Sequence, residues 1–278
     1  MELSLKSSSL FQRHIALPTD HGSWVFLISP LLIGLLAAPG WSTATIYLIV
    51  AAFAFFLIRQ PVTIAVKVYS KRRARRELPA ARFWILVYGL IGLLALLGLI
   101  LEGFWFVLIL ALPGIPVFAW HLYLVSRRSE RRQLGVELVA TGILALAAPA
   151  AYWVSVGAPA AVGWWLLPLC WFQSAASIVY AYLRLEQRTF TSLPDMATRI
   201  KMGGRVLAYT SFNLIAVAAL GFAGILPSLL FLPYAVQWVE SIQGILRPAA
   251  GVRPTAIGIR QLIVSFLFTV LFIIAWRL

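Results

Sequence analysis

In this chain of 278 residues the groups able to do chemistry sit at the ends of long apolar runs, and most are cations. Asp20 and His21 stand together just before the first run. An imidazole that titrates near neutrality beside a carboxylate can move protons, so Asp20 and His21 are the candidate catalytic pair. The ordinary role of Asp20 would be to cap the first helix. Arg59 closes the second run, ahead of Gln60-Pro61, where a guanidinium can grip a phosphate or carboxylate through two parallel N–H donors. Lys67 follows it. Arg184 and Arg188 end the sixth run, Lys201 precedes the seventh, and Arg260 opens the ninth. These six, Arg59, Lys67, Arg184, Arg188, Lys201 and Arg260, are the candidate ligands for an anionic headgroup. Gly203-Gly204, expected at a helix start, would add backbone N–H groups suited to an anion.

Inside the apolar runs the polar groups are Gln173, Ser174, Ser177 and Asn213. Interhelical hydrogen bonding is their ordinary use; Gln173 and Asn213 are the two read as polar contacts to a ligand in a cavity. No ionisable side chain falls in the middle third of any run, and Glu137 and Glu240 lie near run ends. Charges held at mid-membrane mark proton relays and ion-coupled pathways, so ion-coupled transport ranks low. The single Cys170 excludes an intramolecular disulfide and a thiolate metal site. The chain has no Walker loop, HExxH, GxSxG or Cys/His ligand set, and no cofactor or metal is expected.

The elements that must position these groups are membrane helices. Hydrophobic residues make up 62% of the chain and mean hydropathy is +0.91, outside the range of water-soluble proteins. Nine spans are expected, roughly over 23–39, 42–58, 83–101, 104–125, 134–156, 161–183, 205–223, 225–246 and 258–277. Each is long enough for a hydrocarbon core of about 30 Å. They form one helical domain over 1–278, an all-α multi-pass bundle in the plasma membrane, with long connections over about 59–82 and 184–204. Of the 23 Lys and Arg residues, all but Arg277 fall in one alternating set of connections. Basic loops stay in the cytoplasm, so the N-terminus and both long connections are expected inside and the C-terminus outside. Met1 to Thr19 is polar with no apolar core of a signal peptide, so the first span is expected to be retained. The net charge of +14 lies in short strips rather than in a domain, which argues against nucleic acid. Anionic or isoprenoid membrane lipids are the expected partners, at about 1 kcal/mol per basic residue near the membrane surface. Protein partners within a membrane complex are the other class.

His21-Gly22-Ser23-Trp24, with Pro30 and Gly34 downstream, resembles the opening of YwiC-like membrane proteins. Arg59-Gln60-Pro61 is similar to that family's Arg-Glu-Pro, and the stretch 127–132 with Glu137 and Arg253-Pro254…Gly258-Ile259-Arg260 look like it too. The resemblance covers most of the chain and implies no particular activity. The nine-helix plan with two long basic connections resembles the UbiA-type intramembrane prenyltransferases. That likeness implies an active site under those connections, where the family holds Mg²⁺ on an isoprenyl diphosphate with two Asp-rich motifs. Here the first connection carries Glu77 as its only acid and the second only Glu186 and Asp195. Mg²⁺ bridging is therefore disfavoured, and arginines would replace the metal as the charge clamp. The functional expectation is an anionic-headed amphiphile, isoprenoid or phospholipid, bound at the cytoplasmic mouth with its tail between helices, with or without prenyl-type transfer. The alternatives are a non-catalytic lipid- or pigment-binding subunit of a larger complex and a small-anion transporter.

Overall fold

The computed structural model describes residues 10–18, 21–130 and 133–278. Among these residues the structure is helical, with no strand. The helices are α1 (Arg13–Ala16), α2 (His21–Ala37), α3 (Thr43–Tyr69), α4 (Leu78–Leu101), α5 (Leu108–Ala111), α6 (Gly114–Ser126), α7 (Leu134–Ala145), α8 (Ala147–Val156), α9 (Ala161–Gln187), α10 (Met196–Phe222), α11 (Phe231–Leu246) and α12 (Pro254–Arg277). Eight helical segments are long and apolar enough to cross a membrane, so the chain is a multi-pass membrane protein. The remaining expected span, the first at about 23–39, is α2, whose 17 residues reach only about 25 Å.

Proline explains where apolar segments break. Pro149 sets its ring against the carbonyl of Ala145, four residues back, and the helix divides there into α7 and α8. Pro116 does the same at Leu112, separating α5 from α6. Pro30, Pro61 and Pro168 instead lie inside continuous helices. Neighbouring helices make such prolines tolerable in a membrane.

The packing places large apolar side chains outward and small ones inward. On α4, Leu86, Leu90, Leu93 and Leu97 are exposed, whereas Tyr88, Gly92, Ala95 and Leu99 are buried. A Cβ at Gly92 would come within 3.0 Å of the Phe55 ring, and one at Gly98 within 2.7 Å of Tyr47, so α3 lies tightly along α4. Helix α2 runs through the middle. Its Gly34 lies against the Ala148 carbonyl and the Ala151 methyl of α8. Its Ser29 hydroxyl pairs with Thr269 of α12 at 2.5 Å. The deepest core joins Ile33, Leu166, Leu169, Tyr234, Phe268 and Phe272.

Both long connections are shorter than the sequence suggests. Helix α3 runs on through Arg59, Pro61 and Lys67, and α9 through Arg184, leaving only 70–77 and 188–195 outside the helices on either side. The side chain of Asp195 caps α10 by accepting the Thr198 N–H at 3.4 Å, which starts that helix nine residues before the apolar run at 205. Gly203-Gly204 is consequently an interior helical pair, and its N–H groups are not a helix start. Gly203 packs against Ile245 instead.

Candidate functional site

Helix α9 carries Gln173, Ser177, Tyr180, Arg184 and Gln187 three or four residues apart, a spacing that puts them on one face. All five are buried. The facing stripe on α11 is Gln237, Glu240, Ser241 and Gly244, also buried. In lipid, polar stripes of this kind must satisfy each other. At mid-membrane the Gln173 amide donates to Ser177 Oγ and to Ser265 Oγ of α12, each at 3.1 Å. Gln237 donates to the Gln173 carbonyl and to Ser177 Oγ, each at 3.0 Å. The carbonyl acceptor fixes which end of the Gln237 amide is nitrogen; among the described residues its Oε1 has no partner.

Towards the ends of α9 and α11 the stripe becomes charged. Tyr180 donates its hydroxyl to Glu240 Oε1 at 2.9 Å. Arg260 of α12 grips the same carboxylate with two bonds, Nε to Oε1 at 2.7 Å and Nη2 to Oε2 at 2.8 Å. Its Nη2 also reaches Gln243 Oε1 at 2.6 Å. One turn further on, Arg184 turns a single nitrogen, Nη1, to three neutral acceptors: Gln187 Oε1 at 2.9 Å and the Gly244 and Arg247 carbonyls, both at 2.8 Å. Those carbonyls belong to the orphan set at the C-terminus of α11, where a cation is favoured. Gln187 and Arg199 serve the same helix end, donating to the Gly244 and Leu246 carbonyls.

Among the described residues, Arg184 Nε and Nη2 have no acceptor, and Arg184 makes no ion pair with a carboxylate. Neither nitrogen is among the sealed, unpartnered atoms, which are Ser155 Oγ and Gln237 Oε1. They therefore retain open surface, although Arg184 as a whole is only 7% exposed. Arg184 lines a cavity of about 200 Å³ together with Tyr180, Val252, Ala256, Ile257, Arg260 and Gln261. This cavity, between α9 and α12, is the candidate site: two guanidinium groups, a phenol and an amide around an apolar floor. A second cavity of about 310 Å³, against Pro227, Ser228, Leu229 and Ala275, is lined by no basic side chain.

The six expected headgroup ligands divide between places. Arg184 and Arg260 meet at this cavity. Arg188 and Lys201 are exposed and line neither cavity. Arg59 and Lys67 lie on α3 in a separate group. The Arg59 guanidinium sits over the Phe56 ring at 4.9 Å, and Phe56 meets Trp24 of the α2 opening at 5.1 Å. Lys67 lies 3.8 Å from Glu130, and Arg72 holds Glu130 at 2.7 Å and also donates to the Val125 carbonyl. Burial of Glu130 opposes its charge, but the Arg72 hydrogen bond and the charges of Arg72 and Lys67 outweigh it and hold the carboxyl below its ordinary value. His121 of α6 lies within electrostatic reach of Arg59, Lys67 and Glu130. Glu130 thus pairs with the connection after α3, and Glu137 accepts from Tyr182 at 2.8 Å.

Of the candidate catalytic pair, Asp20 lies outside the described residues, and His21 opens α2 with its side chain likewise outside the description. Gln173 and Asn213 are engaged in helix contacts. Asn213 donates to the Phe172 carbonyl at 2.8 Å, tying α10 to α9. The residues that sequence reasoning missed are Gln187 and Gln237, together with His121. The first two were signalled by polar residues recurring every three or four positions along apolar helices. His121 had no such signal.

Fold and site together define a helical multi-pass membrane protein with basic mouths at its helix ends. A family model described as YwiC-like protein matches residues 17–152, a little under half of the chain. The matched part holds the α2 opening, Arg59, Lys67, His121 and Glu130; the cavity of Arg184 and Arg260 lies beyond it. Neither a curated protein nor a solved structure matches the chain.

Proposed function

We propose that this protein binds an amphiphile with an anionic head, seated in the cavity between α9 and α12. The observation that carries this reading is the Arg184 guanidinium, buried, with Nε and Nη2 uncommitted and no carboxylate partner among the described residues, beside a second guanidinium on Arg260. A buried charge is costly unless something pairs with it, and two nitrogens of a planar fork suit a phosphate or carboxylate. The positive-inside rule puts this end in the cytoplasm. The head would then come from the inner leaflet of the plasma membrane, where anionic lipids collect basic partners. A UbiA-like organisation is the catalytic version of the same reading. Prenyl transfer would require cations to stabilise a diphosphate leaving group, and the one positive charge that Arg184, Arg260 and Glu240 leave between them favours binding without that transfer.

The test is lipid retention. Protein purified in mild detergent is compared with its source membrane by mass spectrometry, as wild type and as Arg260→Gln. Enrichment of one anionic lipid class in the wild type and its loss in Arg260→Gln is the expected result. Lipid that merely mirrors the membrane, or enrichment untouched by the substitution, would refute the site.

A further inference from the structure

Taking that binding reading as its basis, we infer that the site selects a head bearing a single negative charge, and that Glu240 sets this selectivity. The groups behind the cavity fix its charge. Arg184 and Arg260 contribute two positive charges and Glu240, 8% exposed and bonded to Arg260 at both oxygens, contributes one negative charge. Among the described residues one unit of positive charge remains. Arg188, Arg247 and Arg253 nearby in the chain are exposed, where water and salt screen them. Arg184 and Glu240 are buried, and Arg260, whose side chain is 42% exposed, is held against Glu240 by two bonds, so these three groups set the charge at the cavity. A phosphodiester or other monoanion matches the residual charge, whereas an isoprenyl diphosphate would leave negative charge uncompensated in a partly dry site.

Size and surroundings point to a lipid head rather than a whole lipid. About 200 Å³ is less than the roughly 300–1,000 Å³ of sites that enclose drug-sized ligands. Val252, Ala256 and Ile257 line the cavity. From the same helix Ile259, Leu262, Ile263 and Phe266 are exposed at helical spacing. They form a continuous apolar face beginning beside Arg260 and running along α12. The tail lies along this outer face, in contact with the bilayer, instead of between helices.

The four combinations at positions 240 and 260 change the charge one unit at a time. Glu240→Gln raises it to two, Arg260→Gln lowers it to zero, and the double variant returns it to one. Each protein is titrated with a short-chain phosphatidylglycerol, an isoprenyl diphosphate and a zwitterionic phosphatidylcholine. The wild type is expected to bind phosphatidylglycerol at least about tenfold more tightly than the diphosphate, since the site does not repay the desolvation of the additional negative charge. Glu240→Gln shifts the ratio about tenfold towards the diphosphate, and the double variant recovers phosphatidylglycerol binding that Arg260→Gln loses. A wild type that binds the diphosphate as tightly as phosphatidylglycerol overturns the selectivity while leaving the site in place. So does a folded Glu240→Gln with an unchanged ratio, or a folded double variant no better than Arg260→Gln. No preference for either anion over phosphatidylcholine overturns the binding reading itself. The wild-type comparison decides the question even where a variant fails to fold.

Discussion

Substituting Gly244 with alanine puts the close approach of α9 and α11 under direct strain. A Cβ there would meet the Tyr180 hydroxyl and come within 2.5 Å of its Cε2 and 2.8 Å of its Cζ. The ring is stiff, and its hydroxyl is held by Glu240 at 2.9 Å, so relief must come from moving the helices or breaking that bond. Overpacking of this severity costs up to about 3 kcal/mol. Loss of a hydrogen bond to a charged group costs about 1.5 kcal/mol more, against about 1 kcal/mol gained by replacing glycine inside a helix. The net is a destabilisation of about 3 kcal/mol, or roughly 6–12 °C in unfolding midpoint for a chain of this size. Gly204→Ala is the matched control. It lies inside α10, exposed, with nothing within 4 Å of a new Cβ, so only the helix gain remains and the midpoint should hold or rise by a few degrees. Cys170, the one cysteine and 2% exposed, is a built-in reporter. A thiol-reactive dye brightens only when the core opens. If Gly244→Ala melts at or above the wild-type temperature, α11 does not lie against the Tyr180 ring at this distance and the reasoning fails.

Two further outcomes follow from other parts of the bundle. Glu130 has its folded pKa held below the ordinary 4.5 by Arg72 and Lys67, so its contribution is complete above 4.5 and is lost as pH falls through the lowered value. Unfolding midpoints measured down to about pH 3 should fall less steeply in Glu130→Gln than in wild type, and parallel curves would exclude that role. Orientation can be read in a Cys170→Ser background, using exposed positions at opposite ends of the bundle. A cysteine at Glu102 should react with an impermeant reagent in intact cells, one at Glu186 only after permeabilisation; the reverse order would invert the topology.

Apolar run length made the spans legible because lipid imposes a length on each helix. Helix ends were less legible. Run composition stops α3 at Arg59-Gln60-Pro61 and begins α10 at Arg205. Yet an interior proline is tolerated when neighbours supply partners, and Asp195 provides a cap in front of the apolar run. At the site, Arg184 and Arg260 were visible as cations at run ends. Their different uses depend on residues far away in sequence: the Gly244 and Arg247 carbonyls cap with Arg184, and Glu240 binds Arg260 across two helices. No local spacing encodes those distances. The same reason separates Arg59 and Lys67 from Arg184 and Arg260, though all four cations look alike along the chain.

The crowding of Arg184, Gln187 and Arg199 onto one helix end has a mechanical meaning. It binds α9, α10 and α11 into a single block at the mouth. Helix α12 is joined to that block there through Arg260, while its other end is pinned to α2 by Arg277, which donates to the Leu36 and Ala38 carbonyls at 2.7 and 2.9 Å. Between those two ends it is fixed by Ser265, Thr269, Phe268 and Phe272, so any play at the mouth is confined to the stretch before Ser265. From Pro254 to Ser265 the helix is about 16 Å long, so a bend of about 7° would displace the Pro254 end by about 2 Å. Parting α12 from α11 at the mouth would require the Arg260–Glu240 ion pair to let go.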